Sequence, residues 1–193
     1  MLQLGSDTDP AWTTLALEHT DELLLEQAHL ERKAASAALT FMFTYQDLAA
    51  LHAPLAALAR EELEHLELVL AELAARNVPF RRQQPGRYMA QLKTVVRPRE
   101  PERCLDGLLV SAIIEARSCE RMKLLAAALR ERDPALAALY GGLVQSEARH
   151  HALYVDLAQA CFPAHDVRAR LREVAAHEAE VLAMRPFEAR LHG

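Results

Sequence analysis

Ser146-Glu147-Ala148-Arg149-His150-His151 sets a glutamate and a histidine three residues apart, a spacing that aims Glu147 and His150 from one helical face at a common point. A second copy, Glu62-Leu63-Glu64-His65, lies upstream. An acid stands at a similar distance ahead of each: Glu31 is 31 positions before Glu62, and Glu115 is 32 before Glu147. A single Glu-x-x-His is an ordinary polar pair on a helix rich in Ala, Leu and Glu. Two copies in register with two further acids read instead as Glu, Glu-x-x-His, Glu, Glu-x-x-His, one group from each of four helices.

The residues around each group support that division. A first helix is expected from about Thr20-Asp21-Glu22 to Tyr45, with Leu24, Gln27, Glu31, Ala34, Ala38 and Phe41 on one inward stripe. Glu26 and His29 form a rival Glu-x-x-His, but they fall on the opposite side with Glu22 and Lys33, which reads as solvated surface. Pro54 suits the first position of a second helix, whose inward stripe is Leu55, Leu58, Glu62, His65 or Leu66, Val69 and Leu73, and which stops at Asn77-Val78-Pro79. The third, roughly Glu102 to Arg132, is apolar around most of its girth before Glu115, so it should be buried. Asp133-Pro134 caps and starts the fourth, with Leu136, Tyr140, Leu143, Glu147, His150, Tyr154 and Leu157 inward and Cys161 at its end. A last helix is expected over 166–184, ending before Pro186.

Phe80 to Pro101 forms a long connection broken by Pro85-Gly86 and Arg97-Pro98. Between Arg76 and Arg103 eight basic residues face only Glu100 and Glu102. That local +6, set in a chain of net charge -5, leaves -11 for the remainder. Such a segment suits phosphate attraction, or the solubility of an exposed loop.

The 193 residues suit one domain over 1–193, half of it hydrophobic, with few aromatics and few β-branched residues, a composition that favours helices. No apolar run approaches the roughly 20 residues that span a bilayer. Met1 to Pro10 lacks the basic start and apolar centre of a secretory signal. A soluble, cytoplasmic protein without a membrane partner is expected. Cys104, Cys119 and Cys161 are odd in number and far apart, which favours reduced thiols over a disulfide framework or zinc knuckle.

Four buried carboxylates without cations would repel one another and raise each other's pKa, whereas two divalent ions neutralise them. Oxygen-rich ligation with one imidazole per metal suits iron or manganese. The ligand set Glu31, Glu62, His65, Glu115, Glu147 and His150 matches that of ferritin-like dimetal carboxylate proteins, so the fold expected is all-α. In detail it is a ferritin-like four-helix bundle with a long crossover between its second and third helices and an additional C-terminal helix. His151 points about 100° away from His150 and reads as a neighbour of the site, not a ligand. Tyr45, Tyr140 and Tyr154 read as packing residues whose hydroxyls reach a partner.

The blocks Leu30-Glu31-Arg32-Lys33-Ala34-Ala35, Glu61-Glu62-Leu63-Glu64-His65, Ile114-Glu115-Ala116-Arg117-Ser118-Cys119-Glu120-Arg121 and Ser146-Glu147-Ala148-Arg149-His150-His151 together resemble the tRNA 2-methylthio-isopentenyladenosine hydroxylase family, MiaE. The likeness spans nearly the whole chain, while Phe187-Glu188-Ala189-Arg190-Leu191-His192-Gly193 is only loosely like the family's tail. The resemblance implies a non-haem diiron monooxygenase. It would hydroxylate the isopentenyl side chain of the hypermodified adenosine beside the tRNA anticodon, with dioxygen as co-substrate. An external electron donor, a reductase or ferredoxin, is implied too. Arg81, Arg82, Arg87, Lys93, Arg97 and Arg99 would then contact tRNA phosphates near the anticodon loop. Two rival readings are a ferritin-like iron oxidase, peroxidase or storage protein, and a metal-free helical bundle that binds a partner.

Overall fold

The computed structural model describes residues 2–184 and 187–192, and among them every regular element is helical. Among the described residues there are seven α-helices: α1 (Pro10–Glu18), α2 (Thr20–Thr44), α3 (Ala49–Ala75), α4 (Tyr88–Leu92), α5 (Glu102–Leu129), α6 (Pro134–Cys161) and α7 (Ala164–Ala183). The longest, α2, α3, α5 and α6, pack as two hairpins, α2 along α3 and α5 along α6, and α3 meets α6. Helix α7 lies mainly on α5, and α1 packs against α5 and α2. No helix among the described residues is long and apolar enough to cross a membrane.

Helix ends follow local chemistry. Asp133 accepts the Leu136 amide at 3.1 Å ahead of Pro134, and Asp9 does the same for Ala11 at 2.8 Å ahead of Pro10. Asp133→Ala should cost about 1 kcal/mol, read as a lower urea midpoint with an unchanged slope. Helix α3 closes in a Schellman turn: Asn77 takes φ 57°, its amide donates to the Ala74 carbonyl, and the Val78 amide donates to that of Leu73.

Four expectations require correction. Helix α1 precedes the first expected helix, and α2 starts after His19 without a side-chain cap. Pro54 lies inside α3, whose first turn begins at Ala49. The long connection contains α4 followed by a short 3-10 turn, Lys93–Val95. Glu26 and His29 are buried, because residues far away in sequence cover the back of α2. Leu191 donates its amide to Glu26 at 2.5 Å, and Phe80 lies against the His29 ring. Helix α7 spans nearly the expected range, while Pro186 and Gly193 lie outside the described residues.

Two apolar clusters fill the interior. One is built from Ala35, Ala38, Leu51, Leu55, Leu58, Leu105, Leu109, Ile113, Tyr154 and their neighbours. The other holds Trp12, Leu24, Ala28, Val69, Leu73, Met122, Leu125, Leu136 and Leu143. Along each of α2, α3, α5 and α6 the residues between the two clusters are the polar ones: Glu31, then Glu62 with His65, then Glu115, then Glu147 with His150. Burying each large aliphatic side chain contributes about 1.5–3 kcal/mol, so apolar packing above and below fixes the height of the acids.

Candidate metal centre

Every side chain of the six-residue set is buried. Ligand atoms of Glu31, Glu62, His65 and Glu147 lie within 4.8 Å of one another, and those of Glu62, Glu115, Glu147 and His150 form a second group of the same span. The groups overlap in Glu62 and Glu147. One terminal carboxylate and one imidazole therefore belong to each half, with two carboxylates common to both. His65 Nδ1 is 3.7 Å from Glu31 and 3.8 Å from Glu62, and His150 Nδ1 is 2.8 Å from Glu62 Oε1.

Both Glu62 oxygens, His65 Nδ1 and His150 Nδ1 are nonetheless buried without an aligned hydrogen-bond partner. Close approach without donor–acceptor alignment means that these atoms converge on shared space instead of satisfying one another. Buried polar atoms so placed are costly unless something else meets them. The electrostatics agree. Burial pushes Glu31 up to about 8, with Glu62 adding to it, and pushes Glu115 up to about 7; Glu147 rises well above the usual range for the same reason. Burial acts on Glu62 in the same direction, but the close approach of the His150 and His65 imidazoles and of the Glu31 carboxyl outweighs it and brings the carboxyl down to about 2. Both imidazoles lose some basicity to burial, yet their carboxylate neighbours raise His65 to about 10 and His150 to about 9. A site that retains protons so strongly seeks positive charge, and the donor set fits two hard divalent cations.

Glu61 and Arg149 join this centre, although neither stands at the three-residue spacing of the ligand set. His150 Nε2 meets Glu61 Oε2 at 3.0 Å, and Arg149 in turn bonds Glu61. An imidazole whose far nitrogen donates to a carboxylate has a fixed ring orientation, which leaves Nδ1 facing the acids. The available signal was position: Glu61 sits next to Glu62 on the side facing α6. Replacing Glu61 by Ala should weaken divalent-cation binding about 10- to 100-fold in competition titrations while the fold persists. His151 is no part of either group; its Nδ1 lies 2.8 Å from the Ala112 carbonyl oxygen. Tyr45 donates to Glu100 at 3.0 Å, but the Tyr140 hydroxyl is buried without a partner, contrary to expectation. Gln27, one turn before Glu31, donates to it.

The basic connection divides into two kinds of residue. Arg81 pairs with Glu22, Arg87 with Glu188 at 3.0 Å, and Arg97 with the buried Asp106 at 2.7 Å. Arg82, Lys93 and Arg99 are exposed. Arg97 is thus structural: with Arg170 it closes α5, α7 and the connection around Asp106. Burial would raise Asp106, but hydrogen bonds from Arg97 and Arg170 outweigh it and hold the carboxyl below its ordinary value. A depressed carboxyl contributes stability that is complete above its unfolded pKa, about 3.9, and is lost as the pH falls through the lower folded value. Asp106→Asn should cost about 2 kcal/mol at neutral pH and flatten the acid limb of a stability–pH curve below about pH 4.

Comparison with known proteins places this geometry in a family. A Pseudomonas putida protein named tRNA 2-(methylsulfanyl)-N(6)-isopentenyladenosine(37) hydroxylase is 40% identical over 189 residues, covering 98% of this chain and 91% of that protein. A Salmonella typhimurium protein of the same name is 39% identical over 135 residues, 70% of this chain and 48% of that one. A solved structure named "Protein 43 with aldehyde deformylating oxygenase activity from Synechococcus" superimposes with a TM-score of 0.92 at 41% identity, covering 98% of this chain and 94% of that one. The family profile described as tRNA-(MS[2]IO[6]A)-hydroxylase (MiaE) matches residues 2–193, and the chain belongs to the MiaE family.

Proposed function

We propose that the protein is an oxygen-dependent tRNA hydroxylase, acting on the isopentenyl side chain of 2-methylthio-isopentenyladenosine beside the anticodon from a ferritin-like four-helix bundle that folds as one domain over 1–193. The observation that carries the reading is the pair of overlapping carboxylate–imidazole groups, buried and short of partners, in a chain of this family. Glu31 and His65 would hold one metal and Glu115 and His150 the other, with Glu62 and Glu147 common to both. Two iron ions, with manganese as an alternative occupant, would supply the activation of dioxygen when bound.

The chain's own residues set the conditions for that chemistry. Four carboxylates balance two divalent charges, so the loaded centre is close to neutral and compatible with its apolar surroundings. Glu61 holds the Nε2 proton of His150 and keeps the ring in place. The apolar clusters above and below exclude water from the centre. An external reductase or ferredoxin would supply electrons, and the cytoplasm, where tRNA is modified, is the expected location.

The Synechococcus neighbour favours a second reading, oxygen-dependent deformylation of an aldehyde at the same centre. One experiment separates the two. Cells that make isopentenylated tRNA but lack a hydroxylase are given the gene, and their tRNA nucleosides are analysed by mass spectrometry. Appearance of the hydroxylated nucleoside supports the tRNA reading. Its absence, with purified protein that turns over aldehydes, would overturn it.

A further inference from the structure

Phe80 is the first residue beyond the stop of α3, and it remains 43% exposed although an apolar neighbourhood lies beside it. Its ring is held from behind. The His29 ring lies 4.7 Å away by centroids, and the Arg32 guanidinium carbon stands 5.7 Å from the Phe80 centroid. His29 is itself fixed: Arg32 donates to its Nδ1 at 3.2 Å, so Nε2 is the nitrogen that donates to the Arg81 carbonyl oxygen, at 2.8 Å. Beside Phe80 runs an open groove of about 430 Å³, lined by Leu70, Leu73, Ala74, Val78 and Pro79 among others. Arg81 and Arg82 follow directly in the chain, and Lys33 lies one turn beyond His29; all three are exposed.

We infer that Phe80, backed by His29 and Arg32, is a stacking platform for an unpaired base of an RNA loop, with Lys33 and Arg82 meeting the adjoining phosphates while Arg81 is held by Glu22. This rests on the tRNA reading above and deepens it. Single-stranded RNA is recognised by splayed bases on aromatic faces and guanidinium planes, with cations along the backbone. A ring backed by an imidazole and a guanidinium is already immobilised, so little conformational freedom is lost when a base stacks on it. The cationic rim suits a polyanion and disfavours a basic peptide. The base that stacks here is not the modified one, because Phe80 contacts the side of α2 that faces away from the metal centre.

The test is equilibrium binding of an anticodon stem-loop RNA carrying 2-aminopurine in its loop, at several salt concentrations, with wild-type protein, Phe80→Ala, Phe80→Trp and Arg82→Glu. Phe80→Ala should weaken binding about 10-fold and lessen the quenching of 2-aminopurine, with the salt slope unchanged. Phe80→Trp should retain both affinity and quenching, and Arg82→Glu should lower the salt slope. Wild-type binding that is indifferent to Phe80→Ala, or equally impaired by Phe80→Trp, would overturn the platform and leave the tRNA reading standing; a peptide occupant of the groove would give the first of these results. Wild-type protein that binds no stem-loop would overturn both.

Discussion

Glu147→Leu is expected to give a metal-free protein at least as stable as wild type, and more stable by about 1–4 kcal/mol where the leucine packs well, while eliminating hydroxylation. Glu147 belongs to both ligand groups, and burial, with Glu115, Glu31 and Glu62 beside it, raises its carboxyl well above the ordinary range. Without cations that burial is a net cost, which a leucine removes. With cations, the same carboxylate is common to both ions, and its loss should reduce product formation by at least about 10³-fold. Thermal unfolding with and without added ferrous or manganous ion reads both effects. The wild type should gain stability on metal addition and the variant should not. A variant that still gains as much as wild type would exclude Glu147 as a shared ligand.

Arg117→Met is the substitution expected to damage the fold most. Arg117 is fully buried on α5, and it donates to both carboxylate oxygens of the equally buried Glu178 on α7, at 2.8 and 2.9 Å. It also reaches Thr8 Oγ1 at 3.1 Å, the Ser6 carbonyl oxygen at 2.8 Å, and Glu120. The N-terminal segment, α5 and α7 thus meet at one guanidinium. Its removal strands Glu178 as a buried charge whose remaining partner is the Tyr88 hydroxyl at 3.2 Å, at a cost of about 3–5 kcal/mol. For a domain of this size the melting temperature should fall by about 10 °C. The double variant Arg117→Met with Glu178→Met should recover much of the loss, since no unpaired charge is then left. A single variant that melts within about 2 °C of wild type would contradict this account.

The buried cluster of glutamates and histidines could be read from sequence because its signal is local. Three-residue spacing on a helix is a geometric fact, and Leu24, Leu58, Leu143 and Tyr154 on the same stripes identify which face turns inward. The cap at Asp133-Pro134 was legible for the same reason. Asp9-Pro10 carries an identical signature ahead of α1, although the apolar stripes that mark the bundle begin after it. What periodicity could not supply is the cover on the back of a helix. Glu26 and His29 face away from the centre, and a single helix read alone gives them to solvent. The tail and the connection bury them, through Leu191 and Arg190 on Glu26 and Phe80 on His29. Burial then pushes Glu26 up to about 7 despite the Leu191 amide and Arg190.

The same limit applies to charge. The sequence counts Arg81, Arg87 and Arg97 as free cations, but each has a carboxylate partner distant in the chain, in Glu22, Glu188 and Asp106. Arg117 and Arg121, in the Glu-Ala-Arg-Ser-Cys-Glu-Arg block, are both buried. Arg121 lies over the Trp12 ring, 4.3 Å from its centroid, and donates to the Leu191 carbonyl oxygen at 2.6 Å. Packing of α1 and the tail against α5 makes these arginines interior, and that packing is a tertiary fact.

The most direct measurement supplies reduced, iron-loaded protein with isotopically labelled dioxygen and tRNA bearing the isopentenyl group, then examines the released nucleosides by mass spectrometry. One labelled oxygen atom should appear in the isopentenyl side chain with wild-type protein, and none with Glu147→Leu. Consumption of dioxygen by the wild type with no label entering the nucleoside would contradict the account.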